Sequence, residues 1–185
     1  TYNCIKQKYP FRQSIESMLG FCDEVVIVDG GSSDGTWEVL LELSKNHNKI
    51  KILQTNVDWN AKRFAVQDGL QKARARSACT MDFCWQMDCD EVVHEDDYDK
   101  VKAVCKRLPK NANLIALPVI EYWGSSEKIR VDINPWKWRL SRNRKFITHG
   151  IPAQLRRFDE NNEMFAAQGT DGCDYVDSET GVPIQ

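Results

Sequence analysis

Three acidic residues follow apolar segments in a way that could gather their carboxylates around one ligand. Asp29 closes the apolar run 24–29, and Asp88 and Asp90 come directly after the stretch 83–87. An Asp-x-Asp pair offers hard oxygen ligands to one divalent ion, and Mg²⁺ or Mn²⁺ is commonly held by one or two carboxylates plus substrate phosphates. A lone pair of this kind is common on protein surfaces. Carboxylates at the mouth of a buried strand, however, need a ligand or a partner, which favours a metal site here.

The elements that must position these carboxylates alternate between strand and helix. Strands are expected over residues 24–29, 49–54, 80–87 and 113–122, and helices from Pro10 and over 36–47, 61–76 and 96–108. This alternation predicts an α/β domain with a mostly parallel sheet and helices on both faces. Ligands of such sheets bind beyond the carboxyl ends of the strands, so Asp29 and Asp88 should face the same edge.

The pattern loosens after residue 123. Pro118 predicts an edge or bulged strand, and Trp136, Trp138 and Leu140 alternate with basic residues as a half-exposed strand does. Two further short strands are expected over 154–158 and 164–168. The 185 residues fit one domain.

Composition excludes several classes of protein. With 25 basic and 27 acidic residues the net charge is −2, so a nucleic-acid partner is not expected. No apolar run approaches the roughly 18 residues of a transmembrane helix. The seven cysteines contain no Cys-x-x-Cys pair, which argues against structural zinc and favours reduced thiols in a cytosolic protein.

Several segments together resemble the family 2 glycosyltransferases of the GT-A fold. The resemblance is carried by Val-Ile-Val-Asp-Gly-Gly-Ser-Ser-Asp-Gly-Thr at 26–36, Asp-Cys-Asp-Glu at 88–91, Thr-Tyr-Asn at 1–3, Ser-Ile-Glu-Ser at 14–17 and Cys-Asp-Glu at 22–24. It is clear over residues 1–95 and weak beyond them. It implies a Rossmann-like domain spanning 1–185 and truncated at one or both ends. Residues 1–95 would form the nucleotide-sugar donor half and 96–185 a looser acceptor-side half.

The resemblance also implies roles for individual residues of the donor half. Asp29 matches the residue that contacts the nucleotide base, and Thr1 and Tyr2 match positions lining the same pocket. Asp88 would contact the ribose or the waters of the metal, and Asp90 would ligate the metal. A basic residue near the nucleotide falls at Lys62 and Arg63, although a solvated helix face explains that pair equally well.

The acceptor-side half offers further candidates. His149 falls where this fold often supplies a third metal ligand, and Asp171 matches the catalytic base, with Asp174 and Glu121 as rivals. A cluster of four basic residues could bind a phosphate group or could simply be exposed to solvent. The cluster comprises Arg139, Arg142, Arg144 and Lys145. We expect Asp34 and Glu91 to brace their loops instead of binding ligand.

The expected activity is therefore transfer of a sugar from a nucleoside-diphosphate sugar to a saccharide or other acceptor hydroxyl, with inversion and with Mn²⁺ or Mg²⁺. The alternatives are a nucleotidyltransferase of similar fold and a non-catalytic domain that binds a sugar nucleotide or metal. The expected location is the cytoplasm, with a peripheral position at the inner membrane face as a further option.

Overall fold

The computed structural model describes residues 1–60, 64–110, 112–144, 147, 156–158 and 164–166. Helices and strands alternate along the first two-thirds of the chain, as the sequence predicts. In chain order they are α1 (Phe11–Leu19), β1 (Val25–Asp29), α2 (Thr36–Asn46), β2 (Ile50–Gln54), α3 (Phe64–Ser77), β3 (Phe83–Trp85), α4 (Tyr98–Arg107), β4 (Leu114–Pro118), β5 (Trp136–Arg142), β6 (Arg156–Phe158) and β7 (Met164–Ala166). A turn of 3₁₀ helix, Glu95–Asp97, precedes α4.

The donor half is built on strands β1 and β2, which pair in parallel with Val25 opposite Ile50 and Asp29 opposite Gln54. Strand β1 is β-branched and largely buried, as parallel strands covered on both faces usually are. Helices α1 and α2 pack on it. The shared core consists of Cys4, Phe11, Ile15, Val25, Ile27, Leu40, Leu43 and Ile50. This core sets the carboxyl end of β1, and therefore Asp29, in a fixed frame.

Strands β3, β5 and β4 form a second sheet in that order, and both of its pairings are antiparallel. Strand β4 lies at the edge, and the register shifts between Ile115 and Ala116, in agreement with the edge or bulged strand expected around Pro118. Antiparallel pairing follows from connectivity, because residues 119–135 fold back as a hairpin that leads from β4 directly into β5. Strands β6 and β7 pair in the same sense.

The expected α/β class is confirmed, and most element boundaries agree within a few residues. Strand β3 is shorter than residues 80–87 because the backbone N–H groups of Thr80 and Met81 donate to the Glu24 carboxylate and not to a neighbouring strand. A cavity of about 450 Å³ lies between β1 and β3. Within the described ranges, every helix is too short or too polar to cross a membrane.

Glu24 ties the start of β1 to β2 and to the loop before β3. Burial opposes its ionisation, but hydrogen bonds from Lys51, Thr80 and Met81 outweigh that effect and lower the pKa of Glu24 from 4.5 to about 2. A lowered carboxyl pKa contributes stability that is complete above the ordinary value and is lost as pH falls from 4.5 towards 2.

Glu24→Gln should therefore lower the melting temperature at pH 7 by about 5 °C, since hydrogen bonds to a charged group are lost. The difference from the wild type should shrink towards pH 3, because the unfolded wild-type chain then binds a proton at Glu24 while the native carboxylate stays ionised, and part of its stabilising effect is lost. Melting curves at both pH values test this, with the exposed Glu16→Gln as control. An equal difference at pH 7 and pH 3 would show that charge is not the cause.

Candidate active site

Asp29, at the carboxyl end of β1, is completely buried, with 0% of its surface exposed. Its Oδ1 accepts hydrogen bonds from Thr1 Oγ1 (3.1 Å) and Ser32 Oγ (2.6 Å). Its Oδ2 accepts from the backbone N–H groups of Gly31 (3.2 Å) and Ser32 (2.8 Å). The carboxylate therefore anchors the glycine-serine loop after β1 to residue 1. Asp29 and Thr1 are therefore in direct contact, and Asp29 lies fully buried under its own loop.

An aromatic pair forms one wall beside this loop. The rings of Tyr2 and Trp59 stack with centroids 4.6 Å apart, and Trp59 Nε1 donates to the Gly30 carbonyl at 2.9 Å. A Cβ on Gly30 would lie 2.5 Å from Cζ2 of Trp59, so only glycine lets the indole approach this closely. The flat face of a nucleotide base could pack against such a wall.

The loop after β3 carries Asp88, Cys89 and Asp90, and it packs against the same part of the molecule. Cys89 packs on the core that contains Cys4, and the two thiols are hydrogen-bonded, a contact that lowers the pKa of Cys4. Ser14 of α1 also donates to the Asp88 carbonyl at 3.3 Å. Residues 1–4 thus contact Asp29 on one side and the Asp-x-Asp loop on the other.

Two cations hold the Asp88 side chain. Lys72 Nζ lies 2.6 Å from Oδ1, and Arg139 Nη2 lies 3.3 Å from Oδ2. Arg139 also pairs with Glu91, whose carboxylate accepts from the Asp88 backbone N–H. Burial alone would lower the pKa of Lys72, but Asp88 and Asp68 outweigh burial and raise it. The contacts of Asp88 and Glu91 with Lys72 and Arg139 fix the orientation of the loop.

The two acids of the Asp-x-Asp pair differ in what they offer a metal. Asp88 is shared between two cations, whereas Asp90 is exposed to solvent on the loop. Among the residues that the structure describes, no three His, Cys, Asp or Glu side chains are grouped to hold an ion. Asp90 therefore offers an accessible carboxylate, which is a hard oxygen donor of the kind that Mg²⁺ and Mn²⁺ accept.

The remaining residues that the sequence analysis singled out have different hydrogen-bond and ion-pair partners. Asp34 accepts from the Lys6 and Thr36 backbone N–H groups, and Glu91 pairs as described above, so both bracing roles are confirmed. Glu121 pairs with Arg130 at 3.0 Å on the hairpin 119–135. Arg142 is occupied with the carbonyls of Leu108, Pro109 and Ala112, a structural role. Outside the described residues lie Lys62, Arg63, Lys145, His149, Asp171 and Asp174.

Sequence reasoning missed two contributors to this site. Lys72 lies 16 residues before Asp88 on α3, and its spacing from Asp68 suggests only an ordinary ion pair along a helix. Trp59 lies in the polar loop after β2, and an aromatic residue beyond the carboxyl end of a parallel strand was a usable signal for it.

Comparison with known proteins agrees with this geometry. The sequence model of glycosyl transferase family 2 matches residues 1–151, which is most of the chain. The chain belongs to glycosyl transferase family 2. The match extends beyond residue 95 and therefore includes strands β4 and β5 as well as the donor half.

Individual relatives of this family 2 chain are more distant. The dolichyl-phosphate beta-glucosyltransferase of Drosophila melanogaster is 33% identical over 90 residues, which is 48% of this chain and 26% of that protein. Two crystal structures of S. aureus TarS are similar in fold. The first structure contains TarS residues 1–349, and its match has a TM-score of 0.50 at 18% sequence identity. The matched region is 77% of this chain and 45% of that TarS chain. The match to the second TarS structure has a TM-score of 0.57 at 16% sequence identity, and it covers 84% of this chain and 30% of the TarS chain.

The expected GT-A fold is confirmed by this likeness. The chain spans about a quarter of the curated relative's length and less than half of either TarS chain.

Gly30→Ala should disrupt the aromatic wall, because the new Cβ forces Trp59 away from Tyr2. We expect a loss of near-ultraviolet circular dichroism and a destabilisation of about 1–3 kcal/mol, as overpacking usually causes. In a Trp59→Ala background the same substitution should cost much less, since the clashing ring is gone. Equal costs in both backgrounds would mean that the clash does not determine the role of Gly30.

Proposed function

We propose that this family 2 domain transfers a hexosyl group from a nucleoside-diphosphate sugar to an acceptor hydroxyl, with inversion and with Mn²⁺ or Mg²⁺. The observation that supports this most directly is the packing of the Asp88–Asp90 loop on residues 1–4, next to the loop anchored by Asp29. The likeness to the Drosophila dolichyl-phosphate beta-glucosyltransferase supports a glucosyl or similar hexosyl donor.

The donor would lie across this junction. Its base would pack at the wall formed by Tyr2 and Trp59, beside Thr1 and the Asp29 loop, and Arg63 would stand near the nucleotide. Its ribose would approach Asp88, and its diphosphate would extend to Asp90. Because Lys72 and Arg139 hold Asp88 from behind, this carboxylate keeps one orientation when the donor arrives. Preorganised charge of this kind costs no reorganisation during the reaction.

Asp90 would hold the divalent ion together with the diphosphate, Asp88 would contact the ribose or the waters of the metal, and His149 is proposed as a further metal ligand. A bound ion supplies neutralisation of the negative charge that builds on the departing diphosphate. Asp171 is the proposed general base, with Asp174 and Glu121 as rivals. It would take the proton of the acceptor hydroxyl while the acceptor oxygen bonds to the sugar carbon and the bond to the diphosphate breaks.

We further propose a location in the cytoplasm, peripheral to the inner membrane face. The six described cysteines are free thiols, as is usual in a reducing compartment.

A thermal-shift panel tests the donor class. The panel contains nucleoside diphosphates and nucleoside-diphosphate sugars, each with and without Mn²⁺. We expect one of them to raise the melting temperature when metal is present, because a ligand that binds the folded state stabilises it by mass action. Incubation of that donor with water or simple sugars should release nucleoside diphosphate. Release of pyrophosphate from a nucleoside triphosphate would instead indicate a nucleotidyltransferase, and binding without any turnover a non-catalytic domain.

Asp171→Asn should leave nucleotide binding unchanged and reduce transfer by about 10²–10⁴-fold, the usual contribution of a general base. Binding is measured by titration calorimetry and transfer by product release. Equal loss of binding and transfer would indicate a structural role, and a fully active variant would direct the assignment to Asp174 or Glu121.

A further inference from the structure

A pair of cysteines lies between the end of α3 and strand β3, outside the groups that the proposed transfer uses. Cys79 follows α3 closely, and Cys84 is the central residue of β3. Their thiols are hydrogen-bonded to each other, and both side chains line the cavity of about 450 Å³ between β1 and β3. Cys84 is 7% exposed, whereas Cys79 is partly exposed. Two nucleophilic groups are therefore in contact beside a cavity.

The backbone of each cysteine is held in place by separate contacts. Asn143 Nδ2 donates to the Cys79 carbonyl at 3.0 Å, and the Glu24 carboxylate accepts from the next two backbone N–H groups. Cys84 pairs with Ser141 of β5 in the antiparallel ladder. Disulfide geometry is demanding, so two cysteines can be bridged without backbone movement only where the fold already brings their sulfur atoms together. This pair meets that condition.

Arg76 places a positive charge beside the two thiols. Its Nη1 donates to Ser141 Oγ at 2.8 Å, and its charge acts on both sulfur atoms. The hydrogen bond from Cys79 lowers the pKa of Cys84, burial opposes this effect, and the charge of Arg76 lowers that pKa further. The thiolate is the reactive form of cysteine, and electropositive surroundings are typical of reactive cysteines.

We propose that Cys79 and Cys84 form a redox-active dithiol, which small disulfides such as oxidised glutathione convert reversibly to an intramolecular disulfide. The first protein thiolate attacks one sulfur of the oxidant, forms a mixed disulfide and releases one glutathione thiolate. The second cysteine attacks the mixed disulfide and releases the other glutathione thiolate. The two thiol protons pass to the released thiolates. The protein pair loses two electrons, and glutathione disulfide gains them.

The disulfide would join two elements that lead to the candidate active site. Helix α3 carries Lys72, whose Nζ lies 2.6 Å from Asp88 Oδ1, and β3 leads into the loop that contains Asp88. Oxidation would therefore restrain α3 and β3 relative to each other. Formation of the bond does not require sugar transfer, so its test is independent of the proposed function.

Peptide mapping of the native full chain tests the pair directly. After incubation with oxidised glutathione at neutral pH, free thiols are blocked with N-ethylmaleimide and the chain is digested with trypsin. Both cysteines fall in the peptide of residues 77–100. We expect a disulfide between Cys79 and Cys84 that dithiothreitol opens. Cys79→Ala should not form it, whereas the matched control Cys105→Ala, which removes another thiol from the same cavity, should retain it.

Cleavage at methionine assigns the bond. Chemical cleavage after Met81 and Met87 places Cys79, Cys84 and Cys89 on three different fragments, so the fragments that stay joined identify the bridge. Absence of the bridge between Cys79 and Cys84 in the native wild type, or its formation only in urea, would overturn the proposal. This measurement on the wild type does not depend on the folding of any variant.

The pH dependence of alkylation gives an independent measurement. The rate at which iodoacetamide modifies Cys84 should rise with a midpoint at least about one pH unit lower in the wild type than in Cys79→Ala, because the variant lacks the S–H group that stabilises the thiolate. Mass spectrometry of the labelled peptide follows this rate. Equal midpoints in the two proteins contradict the proposal, and an unchanged midpoint in Cys105→Ala supports the specificity of the pair.

Discussion

Asp90→Ala should abolish most of the coupling between Mn²⁺ and nucleoside-diphosphate binding. An ion held by one carboxylate and a diphosphate binds well only when the nucleotide is present. In the wild type Mn²⁺ should tighten nucleotide binding by about 5- to 150-fold, and the nucleotide should tighten Mn²⁺ binding by the same factor. In the variant both factors should fall close to one, while the fold is retained because Asp90 is exposed.

Titration calorimetry of wild type and variant, with and without metal, measures these factors. Asp96→Ala is a suitable control, since it removes an exposed acid from the nearby 3₁₀ turn. Wild-type protein that binds donor equally well in chelator would refute a metal role for the Asp-x-Asp pair and favour a non-catalytic domain.

Asp88→Ala should behave differently from Asp90→Ala. The proposed role of Asp88 is contact with the ribose, so its removal should weaken nucleotide binding whether or not metal is present, and the same calorimetry measures this.

Arg139→Met should be the most destabilising single substitution near the site. Arg139 is only 7% exposed, and its removal leaves the carboxylates of Asp88 and Glu91 without their shared cation. Breaking a buried ion pair in this way costs several kcal/mol, and because Asp88 is partly exposed we expect about 2–4 kcal/mol. Arg139→Lys should recover part of the loss, since the charge remains but the rigid guanidinium that places Nη2 against both carboxylates does not.

Urea denaturation provides the measurement, with the exposed Arg144→Met expected to change stability by about 0.5 kcal/mol or less. The same Arg139→Met protein should also bind nucleotide more weakly, because Asp88 and Glu91 repel each other and the loop loses its orientation. If Arg139→Met loses less stability towards urea than Arg144→Met does, the ion pairs of Arg139 do not hold the loop in place.

The donor half was largely predictable from sequence, for reasons that are local. The β-branched run before Asp29 and the glycine-serine loop after it indicate a buried strand and a turn through residue type alone. Their observed boundaries agree closely with expectation. The expectation that Asp29 and Asp88 face one edge of a single sheet rested on strand-helix alternation. Strands β1 and β3 belong to different sheets, and the two loops approach each other through residues 1–4 instead.

The acceptor-side half was less predictable, because antiparallel pairing there depends on which segments meet. The register of β4 against β5 even shifts between Ile115 and Ala116, which residue types alone do not specify. The residues expected as catalytic base and third metal ligand, Asp171, Asp174 and His149, stay predictions.

Sequence by itself determined the family, the α/β class and the acidic positions at the strand ends, since each of these depends on residue types and spacing along the chain. Only the tertiary structure decided what each carboxylate does with its lone pairs. Asp29 accepts four hydrogen bonds from its own loop and residue 1, Asp88 is shared between Lys72 and Arg139, and Asp90 remains exposed. The physical reason is that these partners are brought together by packing of elements as far as 51 residues apart, a distance over which sequence pattern carries no information on contact.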